Sequence, residues 1–133
     1  MPLRPGRVVV KLGSGVLSGG SDGLDAPTLK RLAKEVAEAR AGGCEVVVVS
    51  SGAILAGRGP LGLAGRPSVQ LKQAAAAVGQ SRLMHAWEEA FAPQQLTVAQ
   101  VLLTSDDLRD RGRYLNARNT LLTLLRLGAV PIV

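Results

Sequence analysis

Apolar runs alternate with stretches of helical period along this chain. From Arg7 to Leu12 the residues Val8, Val9 and Val10 are consecutive and β-branched, the pattern of a strand covered on both faces. Glu45 to Val49 is a second buried-type strand, stopping at Ser50-Ser51-Gly52; Leu96 to Leu103 predicts a third, and Ala129 to Val133 begins a fourth. Asp25 is a suitable N-cap for a helix from Ala26 to Arg40, with an apolar stripe of Leu29, Leu32, Ala33, Val36 and Ala37 and a stop at Gly42-Gly43. A short helix follows Gly52 as far as Gly57, and Gly57 to Pro67 is loop by composition. Ser68 to Phe91 is helical, with Ala77, Gln80, Met84, Trp87 and Phe91 predicted along one face. Gly79 interrupts it at a cost of about 1 kcal/mol against alanine, so close packing or a kink is expected there. Thr104-Ser105-Asp106-Asp107 reads as a helix start whose acidic first turn suits the macrodipole, and Arg113 to Leu127 forms a last helix, stopped by Gly128.

The order predicts an α/β fold, an αβα sandwich with a mainly parallel sheet, in one domain over residues 1–133. In open α/β sheets ligands sit beyond the carboxyl ends of the strands. The fourth strand delivers its loop where the residues run out, so an incomplete domain is expected.

Composition narrows the picture. The 133 residues are 47% hydrophobic but only 2% aromatic, so the core must be built from Val, Leu, Ile and Ala. One cysteine, Cys44, excludes an internal disulfide, and no Cys/His cluster suggests zinc. With neither a transmembrane run nor a credible secretory signal, a cytoplasmic setting without membrane contact is expected. The net charge of +6 suits an anionic partner, but the basic residues are scattered and aromatic platforms are nearly absent, which argues against nucleic acid.

Two glycine-bearing loops follow buried strands: Gly13-Ser14-Gly15 and Ser50-Ser51-Gly52. If the strands are neighbours, both open at one edge, where glycines let an anion approach backbone N–H groups. Lys11 adds a compact positive charge beside the first loop. The dinucleotide pattern GxGxxG fails at Ser18, and no helical pattern starts straight after this loop. No Gly-Lys pair offers a Walker-type phosphate loop, and no GxSxG elbow occurs. His85 lies mid-helix, a surface or core side chain rather than a catalyst, and Cys44 reads as a small hydrophobe. Phosphoryl transfer to a carboxylate fits this inventory. Such an acceptor, with a pKa of about 4, needs no general base, only a cation between two mutually repelling anions and donors around it. Lys11 is the candidate cation; a lysine merely snorkelling from a strand end is the alternative.

The segments "VVVKLGSGVLS", "VVVVSSGAILAGRGPLGL", "LKQAAAAVGQSRLMHAWEEAF" and "LLTSDDLRDRGRYLNARNTLLTLLRLGAVPIV" together resemble the glutamate 5-kinase branch of the amino-acid kinase family, over its N-terminal portion. The resemblance implies an αβα sandwich whose first half holds the phosphoryl acceptor and whose second half, absent from this sequence, holds ATP. It implies ATP-dependent phosphorylation of L-glutamate to glutamyl 5-phosphate, the first step of proline synthesis, with magnesium as cofactor. Lys11 falls on the lysine contacting the transferred phosphate, Gly13 and Ser14 on the turn near the phosphates, and Ser51 and Gly52 on the glutamate-binding turn. Gly79, Gln80, Asn116 and Arg118 match as well, with packing an equal reading for each. Proline as a feedback inhibitor is a further expectation of the resemblance, a homo-oligomeric state is expected from the sheet edge that the absent half would leave exposed, and the 133 residues alone are expected not to turn over. Other amino-acid kinases, acting on aspartate, acetylglutamate or a nucleotide monophosphate, share the Lys and Gly features, and a non-catalytic anion-binding module is the remaining alternative.

Overall fold

The computed structural model describes residues 6–20 and 23–133. Four strands, β1 (Arg7–Leu12), β2 (Glu45–Ser50), β3 (Val98–Gln100) and β4 (Val130–Ile132), form one parallel sheet in the order β1-β2-β4-β3. Among the described residues six α-helices accompany them: α1 (Ser14–Leu17), α2 (Ala26–Ala41), α3 (Ala53–Arg58), α4 (Val69–Phe91), α5 (Ser105–Arg109) and α6 (Arg111–Arg126). The predicted α/β sandwich is therefore present, with helices on both faces of an all-parallel sheet. Among the described residues no helix is long and apolar enough to cross a membrane.

One face of the sheet carries the main core. Leu12 of β1, Val46 and Val48 of β2, and Val130 and Ile132 of β4 pack with Leu29, Ala33 and Val36 of α2 and with Leu83, Trp87, Ala90 and Phe91 of α4. The Asp25 carboxylate caps α2 by accepting from the Thr28 N–H at 3.2 Å, as the sequence led us to expect. The strand β1 differs from its expected burial on both faces. Successive side chains alternate across a strand, so Val8, Val10 and Leu12 turn inward while Val9 is 64% exposed. Lys11 is likewise exposed.

The α4 stripe also needs correction. Its buried residues are Ala75, Gly79, Leu83, Trp87, Ala90 and Phe91, whereas Ala77 is exposed and Gln80 and Met84 are only half-buried. The cause is the crossing with α3. A Cβ at Gly79 would overlap the Ala53 carbonyl, and one at Gly57 would overlap the Ala75 carbonyl, so two backbones meet where only glycine leaves room. The smallest residues, not the most apolar, set this face.

Pro131 sits inside β4, between β2 and β3. Val130 donates to Thr97 on the β3 side and Val133 donates to Val48 on the β2 side, so the missing Pro131 N–H costs β4 a bond toward β2. That accounts for the short β2–β4 ladder, which pairs Val48 with Ile132. The third strand is shorter than the predicted Leu96–Leu103, and α6 begins two residues before the predicted Arg113 because Asp110 caps it, its carboxylate accepting from the Arg113 N–H at 2.9 Å.

Candidate functional site

The parallel ladder between β1 and β2 pairs Lys11 with Val49 and Leu12 with Ser50. Just beyond it, the Ser51 N–H donates to the Leu12 carbonyl at 2.9 Å, so the two strand ends are tied together where their loops begin. The neighbouring arrangement on which the anion cradle depends is thus present. By strand alternation Lys11 lies on the face of Val9 and Val49, opposite the core. The ammonium is exposed and has no ion-pair or hydrogen-bond partner among the described residues.

After Leu12 the chain does not continue as an open glycine loop. Gly13 caps α1, a single helical turn in which the Val16 and Leu17 N–H groups both reach the Gly13 carbonyl at 3.1 Å. The expectation that no helix starts here is corrected: Val16 and Leu17 supply the turn, and Leu17, at 0% exposure, anchors it in the core. The first N–H groups of such a turn have no intrahelical acceptor.

The second loop touches the first. Gly52 adopts φ 113°, a left-handed conformation that favours glycine, and a Cβ there would stand 3.1 Å from Leu17 Cδ1 and 3.4 Å from Leu83 Cδ1. The turn after β2 is therefore pressed against both the α1 turn and α4. Ser51 is exposed, and among the described residues its hydroxyl has no partner and no acceptor takes the Gly52 N–H. Lys11, Gly13, Ser14, Ser51 and Gly52 accordingly lie at one edge of the sheet, on two joined strand ends.

One link at this edge, between Trp87 and Ser50, escaped the sequence reading. The Trp87 indole N–H donates to Ser50 Oγ at 3.1 Å, and the same hydroxyl donates to the Ser51 carbonyl at 2.8 Å. The available signal was that Trp87 is the single tryptophan and falls on the core side of α4, where a buried indole N–H needs an acceptor.

Other candidates lie elsewhere. His85 is exposed on α4, with Nε2 3.0 Å from Glu89 Oε1. Cys44 is half-buried against the core, just before β2 and at the far end of that strand from Ser51. Gly79 is accounted for by the α3 crossing. Gln80 is half-buried, and Asn116 and Arg118 are exposed on α6. Asn116 borders a cavity of about 400 Å³ with Gln100, Asp107 and Arg113, beyond the carboxyl end of β3. Asp107 accepts from the Thr104 backbone and hydroxyl, and these bonds hold its carboxyl below the usual value of 3.8. No group of three or more His, Cys, Asp and Glu among the described residues could hold a metal ion.

Residues 6–133 match the amino acid kinase family. The chain belongs to that family. Among curated relatives, the amino acid kinase chain is 60% identical over 128 residues to the glutamate 5-kinase of Geobacter sulfurreducens, covering 96% of this chain and 34% of that protein. It is 55% identical over 128 residues to the glutamate 5-kinase of Syntrophotalea carbinolica, with the same coverage of each. It is also 54% identical over 136 residues to the glutamate 5-kinase of Thermus thermophilus, covering 98% of this chain and 36% of that protein. The chain spans about a third of the length of these relatives.

Proposed function

We propose that this chain is the phosphoryl-acceptor-binding portion of a glutamate 5-kinase, a protein that converts ATP and L-glutamate to ADP and glutamyl 5-phosphate. The observation that carries the reading is the bond from the Ser51 N–H to the Leu12 carbonyl, which puts the exposed Lys11 and the Ser51-Gly52 turn on joined strand ends. The glutamate 5-kinase names of relatives at 54–60% identity favour this acceptor over others.

The chemistry asks little else of the protein. A side-chain carboxylate oxygen attacks the γ-phosphorus of ATP, a new P–O bond forms, and the bond to the oxygen bridging the β and γ phosphates breaks, leaving ADP. The acceptor is already ionised at neutral pH, because its pKa is about 4, so no general base is needed. The difficulty is bringing two anions together. In this reading Lys11 stands between them and gains most as charge spreads over the transferring group. The turn at Gly13 and Ser14 offers backbone donors on the phosphate side, and the Ser51 hydroxyl and Gly52 N–H orient the glutamate. The nucleotide brings magnesium with its own phosphate oxygens, the usual mode for that ion, and no step here is assigned to it.

A coupled ADP-release assay on the whole protein tests this, with L-glutamate beside aspartate and acetylglutamate. Glutamate should support turnover far above the other two. Turnover with aspartate or acetylglutamate instead would move the protein to another branch of the family.

A further inference from the structure

We infer that Trp87 and Ser50 act as positioning residues for the acceptor, setting the direction of the Gly52 N–H through the Ser51–Gly52 peptide. This rests on the reading of that turn as the glutamate site. Ser50 does not itself face the candidate ligand. It lies on the core face of β2, where its hydroxyl accepts from the Trp87 indole at 3.1 Å and donates to the Ser51 carbonyl at 2.8 Å. A hydroxyl can do both at once, having one proton and two lone pairs. Trp87 is 1% exposed and packs on Phe91 with ring centroids 5.8 Å apart, so the indole is a fixed donor.

The consequence follows from peptide geometry. No cis bond occurs among the described residues, and in a planar trans peptide the C=O and N–H point in opposite directions. Holding the Ser51 carbonyl on Ser50 Oγ therefore aims the Gly52 N–H away from it, and no acceptor among the described residues takes that N–H. Glycine at φ 113° has no side chain to restrain this plane. The restraint comes instead from the core, along the chain Trp87 Nε1–H, Ser50 Oγ–H, Ser51 C=O. A helix 37 residues further along the sequence thus sets the direction of a ligand-facing amide.

The test uses the whole protein and the variants Trp87→Phe, Ser50→Ala and the double variant, each measured for kcat, KM for glutamate, KM for ATP and Tm. Removing one neutral hydrogen bond should raise the glutamate KM by about 3- to 10-fold, with kcat and the ATP KM within two-fold. The double variant should be no worse than the more impaired single variant, because both substitutions break one chain of bonds. A glutamate KM unmoved in Ser50→Ala, or moved in step with the ATP KM, would overturn the inference, as would multiplying effects in the double variant. A fall in Tm alone, with the glutamate KM unchanged, would make Trp87 and Ser50 purely structural. If the parent protein releases no ADP with glutamate, the proposed function fails first; if it does and the variants match it, only the positioning role fails.

Discussion

The edge formed by β1 and β2 and the arm formed by β3, α5 and α6 carry similar sequence signals but are held in different ways. At the first edge every turn is pressed onto the core: Leu17 buries the α1 turn, Gly52 packs against Leu17 and Leu83, and Trp87 holds Ser50. In the arm, α5 buries nothing and α6 buries only Leu125, while Leu102 is 70% exposed. The arm is instead shaped locally. Thr104 and Asp107 form a reciprocal capping box at α5, and Asp110 caps α6. Tertiary contacts make the first region rigid enough to present donors in fixed directions, whereas caps only decide where the helices of the second begin.

If that contrast is sound, the largest effect should come from Lys11→Ala in the whole protein. Taking away a charge that matters most in the transition state should lower kcat roughly 100-fold or more, with the glutamate KM little changed, as steady-state kinetics would show. Ser51→Ala should do the reverse, mainly raising the glutamate KM. Next in size is Gly79→Ala. In an open helix alanine would add about 1 kcal/mol of stability; against the Ala53 carbonyl it should remove about 3 kcal/mol. Thermal unfolding would then drop by about 10 °C, and a rise would show that α3 and α4 are not locked together.

The smallest effect belongs to the arm. Thr104→Ala removes the cap of an exposed helix and should cost about 1 kcal/mol, seen as faster amide exchange confined to Ser105–Arg109. Its acid dependence follows from Asp107. The folded carboxyl titrates below 3.8, so its contribution is present above that value and is lost as pH falls through the folded value. Protection of α5 in the parent should fade over that acid range, and the step should be smaller in the variant, which loses the hydroxyl bonds but keeps the backbone N–H of residue 104 donating to Asp107.

The same contrast explains what could be read from the letters. Caps and strand runs are local, so Asp25, Ser68 and Thr104 marked helix starts correctly and Arg7–Leu12 was legible as a strand. The convergence of the two glycine turns was legible too, because two buried runs with similar endings suggest adjacent parallel strands. What periodicity could not reveal was the partner of each face. The helix α4 buries Gly79 and Ala75 because α3 crosses there, and hydrophobic spacing ranks such residues low. Val9 resembles its neighbours in type, yet it is exposed because the sheet face it occupies is open at β1. The link from Trp87 to Ser50 spans two elements and leaves no local pattern at all.

The central claim is that an anion is held where β1 and β2 join, by Lys11 and the backbone donors of two touching turns. An amide-resolved NMR titration of the whole protein with L-glutamate and a non-hydrolysable ATP analogue addresses it most directly. Shifts concentrated at 13–15 and 51–53 are the predicted result, with those at 13–15 weakened in Lys11→Ala when the nucleotide analogue is added and those at 51–53 kept with glutamate. Shifts centred on Cys44 and Glu45, at the opposite end of β2, would contradict it.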